Sequence, residues 1–155
     1  MPIKSFQGER AKKVRVKPIK LTVSDIMTSQ LVIFSPEQSI HEVMRAFIKH
    51  RISGGPVVDE LGKLVGVISE ADCMKEISDS RYFNLPILDK SVAHFMTKKV
   101  DTINANTSVF DAAALFSKSS RRRYPVIENN RLVGQVSRKD IVISALEMKS
   151  QTWRY

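Results

Sequence analysis

Between residues 39 and 48 the apolar positions are Ile40, Val43, Met44, Phe47 and Ile48, the spacing of one face of a helix. Ser39 stands just before them and Glu42 follows three residues on. This resembles a capping box, in which the hydroxyl takes an orphan amide and the acid suits the positive helix end. The arrangement recurs with Ser108, Asp111 and the face Val109, Ala112, Ala113 and Phe116. After each helix, two short apolar runs separated by turn residues predict a hairpin. These are "PVVDELGKLVGVIS", turning at Leu61-Gly62, and "PVIENNRLVGQVS", turning at Asn129-Asn130. A second helix is predicted from the serine that closes each hairpin, along "EADCMKEI" and "RKDIVISALEM". Ahead of each capped helix a short helical turn ends in Met-Thr and leads into a predicted strand, "LVIF" or "VDTI".

The recurrence is an internal repeat. Residues 23–72 lie on 92–140 with a shift of 69, dropping to 68 where the second turn is one residue shorter. Identical pairs run the length of the unit: Met27/Met96, Thr28/Thr97, Ser39/Ser108, Phe47/Phe116, Pro56/Pro125 and Val57/Val126, then Gly66/Gly134, Ser69/Ser137 and Asp72/Asp140. One copy is a β-α-β-β-α unit of about fifty residues, too small to bury its own helices and sheet. Two copies related by an approximate two-fold cover each other's open faces. The predicted fold class is therefore α/β (α+β in some schemes). Its parts are a basic extension over 1–20, repeat 1 over 21–78, a connector over 79–91, repeat 2 over 92–148 and a tail over 149–155.

Composition changes this picture little. Hydrophobic residues make up 43% and charged residues 26%, ordinary for a globular chain, and no apolar run suggests a membrane span. Cys73 is the only cysteine, so no internal disulfide forms and a reducing, cytoplasmic setting is the simpler expectation. The formal charge is +9, and the first twenty residues hold seven basic side chains against Glu9 alone. Such a tail is either a solubilising extension or a polyanion contact acting through phosphate attraction. Trp153 and Tyr155 either pack the tail against a partner or lie free.

Catalytic patterns are missing. His41, His50 and His94 lack metal-ligand spacing, and no GxSxG or Walker-type glycine loop occurs. The expectation is a protein that is not an enzyme, with no catalytic or metal site and no required cofactor. The repeated Gly66…Ser69-Glu70-Ala71-Asp72 and Gly134…Ser137-Arg138-Lys139-Asp140 admit two readings. Serine and aspartate cap a helix, or the carboxylate accepts ribose hydroxyls while the serine and helix start favour a phosphate. Met27 and Met96 read as core or cleft-lining gap-fillers. Gly54-Gly55 marks either a close backbone approach or an unusual turn.

The order Met-Thr, capped helix, "SGGPVVD" and "KLVGVISEAD", given twice, resembles the cystathionine-β-synthase (CBS) domain in tandem, a Bateman module, over roughly residues 21–148. The resemblance implies a stand-alone regulatory module that binds an adenosine-containing ligand (AMP, ADP, ATP or an S-adenosyl compound) through the repeated Asp. It also implies a homodimer paired through helices and a separate, unidentified regulated partner. It places two clefts between the repeats. Cleft A would combine Thr28, Val32, Ile52 and Ser53 with Arg122, Arg123, Ser137, Lys139 and Asp140. Cleft B would combine Ser69 and Asp72 with Thr97, Asp101, Arg121 and Arg122, and have Ser53 and Gly54 at its phosphate positions. Guanidinium forks suit phosphate, so cleft A is expected to bind and cleft B to be weak or empty. The alternatives are a nucleic-acid or other polyanion binder working through the tail, and a structural adaptor without ligand. For Arg121-Arg122-Arg123 itself the alternative is a plain solvated face.

Overall fold

Both capped helices form where their patterns predict them. In this computed structural model the described residues are 21–83 and 90–152, so the 1–20 extension, the centre of the connector, Trp153 and Tyr155 lie outside them. The elements run α1 (Val23–Ile26), α2 (Ile40–His50), β1 (Gly54–Val58), β2 (Leu64–Ser69) and α3 (Glu70–Phe83) in the first half. The second half has α4 (Val92–Phe95), β3 (Ile103–Asn104), α5 (Val109–Lys118), β4 (Arg123–Glu128), β5 (Arg131–Ser137) and α6 (Arg138–Thr152). Helix α3 continues to Phe83, into the stretch assigned to the connector. The hydroxyls of Ser39 and Ser108 accept from the amides of Glu42 and Asp111 at 3.2 and 3.1 Å, as capping serines should.

The hairpins follow their turn residues. Asn129 and Asn130 both take positive φ, 49° and 62°, the backbone of a two-residue hairpin turn, and asparagine tolerates it. In the longer first turn Gly62 takes φ +77°, and Asp59 Oδ1 accepts from the amides of Leu61 and Lys63, both at 2.9 Å. Strands β1 and β2 pair antiparallel, as do β4 and β5, and each pair carries a register shift at the matched positions Val57/Val58 and Val126/Ile127. The predicted "LVIF" strand is reduced to a single parallel bridge between Phe34 and Val57. The "VDTI" strand becomes the two-residue β3 beside β4. Only the end of each run reaches its neighbour, because the chain before it is committed elsewhere.

That commitment is an exchange between the halves. Val23, buried with Leu21, Ile26 and Met27 beside it, packs into the core of repeat 2 around Val109, Phe116, Tyr124 and Val136. Val92, with Phe95 and Met96, packs into the core of repeat 1 around Ile40, Phe47, Val57 and Ile68. Fully burying a valine contributes about 2 kcal/mol, so each half draws part of its stability from the other's leading turn. Backbone bonds fix the exchange: Val23 N donates to Thr107 O at 2.8 Å, and Val92 N to Gln38 O at 2.8 Å. At the start of α1, Asp25 accepts from the amide and hydroxyl of Thr22, which holds its carboxyl below the usual carboxylate value. The apolar face of α2 is not buried across its whole width: Ile48 is 81% exposed, at the trailing edge of a stripe whose centre is buried.

Candidate functional site

Asp140 sits in the first turn of α6, three residues after Ser137. Its Oδ2 accepts from the Ser137 amide (2.8 Å) and hydroxyl (2.9 Å), and its own amide donates to Ser137 Oγ at 3.2 Å. Ser69 and Asp72 repeat the box at 2.8, 3.0 and 3.4 Å. Both readings of the motif therefore share one geometry. Oδ2 caps the helix, while Oδ1 accepts no hydrogen bond among the described residues in either copy.

Two further contacts build a cleft around each carboxylate. The Arg138 amide donates to Arg122 O at 3.1 Å, as Glu70 does to Ser53 O at 2.9 Å, tying the start of each helix to the segment before the hairpin proline. Thr28 and Gln135 exchange backbone bonds of 2.9 Å in both directions, and Thr97 and Val67 do the same at 2.8 and 3.0 Å. The Met-Thr turn of one repeat thus lies against the hairpin of the other. Room for it comes from glycine. A Cβ on Gly134 would stand 2.6 Å from Met27 Sδ and 2.9 Å from Thr28 O, and one on Gly66 would meet Met96 Sδ and Thr97 O at 2.8 and 2.9 Å.

On the repeat 2 side this gathers Thr28, Arg122, Arg123, Ser137, Lys139 and Asp140 around one cavity of about 470 Å³. Gln135 and Arg138 also line it, and sequence reasoning missed both. Arg138 lies inside the Ser-x-x-Asp motif, so its position was the available signal; its Nη2 donates to Ser119 O at 3.3 Å. Ile52 and Ser53 line a second cavity that shares Arg123. Val32 lines neither and is partly buried against the first core. Arg122, Arg123 and Lys139 are exposed and form no ion pair among the described residues.

The other side is divided. Ser69, Arg121 and Arg122 line a central groove of about 360 Å³ with Ser53, Gly54 and Asp101. Asp72 and Thr97 line a different cavity, beside Glu76, Lys90 and His94. Arg121 Nε meets Asp101 Oδ2 at 2.7 Å, at the positions matching Ile52 and Val32 of cleft A. Glu76, also unforeseen, is 2% exposed, accepts from Ser80 Oγ at 3.2 Å and has Lys90 Nζ at 3.7 Å. Its signal was an acid where the second repeat has Ser144. Beside Asp72, burial pushes the Cys73 thiol up, with the charges of Asp72 and Glu70 adding to it. Gly54-Gly55 resolves as a close backbone approach. A Cβ on Gly54 would lie 2.9 Å from Ile68 O, and one on Gly55 would lie 2.8 Å from the Phe34 ring.

Two matching repeats that exchange their leading turns, with clefts where the pre-proline segment of each meets the Ser-x-x-Asp helix start, define a tandem module of mixed α and β structure. The sequence profile of the CBS domain matches residues 23–79 and 92–147. The chain belongs to the CBS-domain family and carries two such domains in tandem. It is 30% identical to protein MJ1426 of Methanocaldococcus jannaschii, over 84% of this chain and 94% of that protein. The solved structure of CBSX2, a protein of Arabidopsis thaliana, in complex with AMP matches with TM-score 0.71 and 29% identity, covering 83% of this chain and 98% of that one. The CBS domain pair of protein MJ0100, in complex with 5′-methylthioadenosine and S-adenosyl-L-methionine, matches with TM-score 0.62 and 32% identity over 84% and 98%. Among the described residues no helix is long and apolar enough to cross a membrane.

Proposed function

We propose that this chain is a regulatory module that binds an adenosine nucleotide in cleft A and reports its occupancy to a separate protein. The observation that carries the reading is the single cavity joining Thr28 of one repeat to Arg122, Arg123, Ser137, Lys139 and Asp140 of the other. Asp140 Oδ1 accepts the ribose hydroxyls, Ser137 and the helix start favour the phosphate, and the arginines and Lys139 pair with it. The complexes of CBSX2 with AMP and of MJ0100 with adenosine compounds support the ligand class. Ile52 and Ser53 line the adjoining cavity that shares Arg123, and Val32 and Ile52 both pack against the first core. A ligand that favours one relative arrangement of the halves shifts them toward it, because its contacts come from both.

Cleft B, built on Ser69, Asp72 and Thr97, is weak or empty in this reading. Its residues face two cavities, and the Arg121–Asp101 pair puts charge where cleft A has aliphatic side chains. Calorimetry with AMP and ATP tests both statements. Asp140→Asn should weaken binding about tenfold or more, the cost of a lost charge-assisted bond, while Asp72→Asn should leave affinity within about threefold. Equal losses in the two variants would sink the asymmetry, and wild-type silence would sink the nucleotide reading. Asp140 also caps α6, so thermal unfolding of each variant separates a lost ligand from a lost cap. The chain acts as a homodimer without catalytic chemistry of its own or a required cofactor, and resides in the cytoplasm. A polyanion-binding role for residues 1–20 is the second reading, and that segment lies outside the described residues.

A further inference from the structure

We infer that cleft A selects a nucleotide with two or more phosphates over a monophosphate, and rejects a sulfonium compound; this rests on the reading that adenosine nucleotides bind there. Arg122, Arg123 and Lys139 face the same cavity of about 470 Å³, and among the described residues Asp140 is the only acid that lines it. None of the three is paired with an acid among the described residues. Arg138 lines the cavity as well, so four cations face one acid, a net charge of about +3, and a phosphate monoester with about two negative charges near neutral pH leaves part of it uncompensated. A longer phosphate chain compensates it, and guanidinium groups hold each added phosphate through two parallel bonds.

There is also somewhere for a longer chain to go. Arg122 and Arg123 line the central groove of about 360 Å³ as well as cleft A, so the two cavities share their cationic wall. Across the groove stand Ser53 and Gly54, where a side chain on Gly54 would run into Ile68 O at 2.9 Å. Gly54 has no side chain and Ser53 a short uncharged one, so this part of the lining adds neither bulk nor charge to the groove. Arg121 lines the groove too, but Asp101 at 2.7 Å neutralises it. The phosphate chain therefore gains most from Arg122 and Arg123 and little from Arg121. A sulfonium ligand brings a positive charge to the same cluster and is repelled.

Titration calorimetry with ATP, ADP, AMP and S-adenosylmethionine, in magnesium-free buffer at fixed ionic strength, tests this. Wild type should bind ATP about tenfold or more tighter than AMP, equivalent to one further charge-assisted contact, with ADP between them and S-adenosylmethionine weakest. Arg122→Ala/Arg123→Ala should bring ATP and AMP within about threefold of each other, since it removes the contacts that only the longer chain completes. Asp101→Asn, which releases Arg121, should widen the ATP preference instead. AMP binding as tightly as ATP, a preference unmoved by the double variant, or tighter binding of S-adenosylmethionine than AMP would each overturn the selectivity while leaving nucleotide binding intact. No heat with any of the four compounds would overturn the nucleotide reading and the selectivity with it.

Discussion

Gly134 and Gly66 set how closely each Met-Thr turn approaches the opposite hairpin. At Gly134 an added methyl group meets a backbone carbonyl, Thr28 O at 2.9 Å, as well as the movable Met27 thioether at 2.6 Å. Gly134→Ala should therefore destabilise the fold by about 1–3 kcal/mol, the usual cost of overpacking, measured by chemical denaturation. Adding Met27→Ala should recover only part of the loss, because the Thr28 carbonyl stays in place. A Gly134→Ala protein as stable as wild type would contradict the close approach. The arginine run also divides by residue. Arg122 and Arg123 face cleft A, and Arg121 is tied to Asp101. Ser137 and Asp140 were legible as cavity neighbours because the repeat aligns them with Ser69 and Asp72, and both arginines because the family resemblance puts them there. Val32 and Ile48 were not. Each lies at the margin of an apolar patch, where burial depends on which neighbour covers it rather than on spacing along the chain.

Helices and hairpins were read well from their caps, faces and turn residues, because those signals are local. The leading strands were read poorly. "LVIF" is an apolar run with two β-branched residues, like a strand, but only Phe34 pairs, since the turn before it crosses to the other repeat. Periodicity carries no information about such a crossing. The matched glycines and methionines were the only traces of it. Helices α3 and α6 leave an apolar face open: Met74 and Val142, both 58% exposed, hold equivalent positions, and Leu146 is 64% exposed. Exposed apolar side chains on both helices, of which Met74 and Val142 are matched by the pseudo-two-fold, suit the self-complementary contact of a symmetric dimer. Sedimentation should find a dimer for wild type and a monomer for Val142→Glu/Leu146→Glu. A monomeric wild type would contradict the assignment.

At the scale of the molecule, the chain is a two-fold pair whose halves have diverged in charge. The cores exchange equivalent turns, and the helix starts carry equivalent Ser-Asp boxes. The surroundings differ: Arg122, Arg123 and Lys139, unpaired among the described residues, line the cavity at Asp140, while the cavity at Asp72 holds the buried Glu76 with Lys90 beside it, and Arg121 is paired with Asp101. One nucleotide in cleft A would touch both halves, so occupancy of a single site is enough to bias their arrangement. The most direct test is an NMR titration with AMP, following backbone amides across both repeats. The predicted result is saturable shifts centred on Thr28, Arg122, Ser137 and Asp140, with Ser69, Asp72 and Thr97 nearly still. Shifts centred on Ser69, Asp72 and Thr97, or none in either cleft, would contradict the assignment of cleft A.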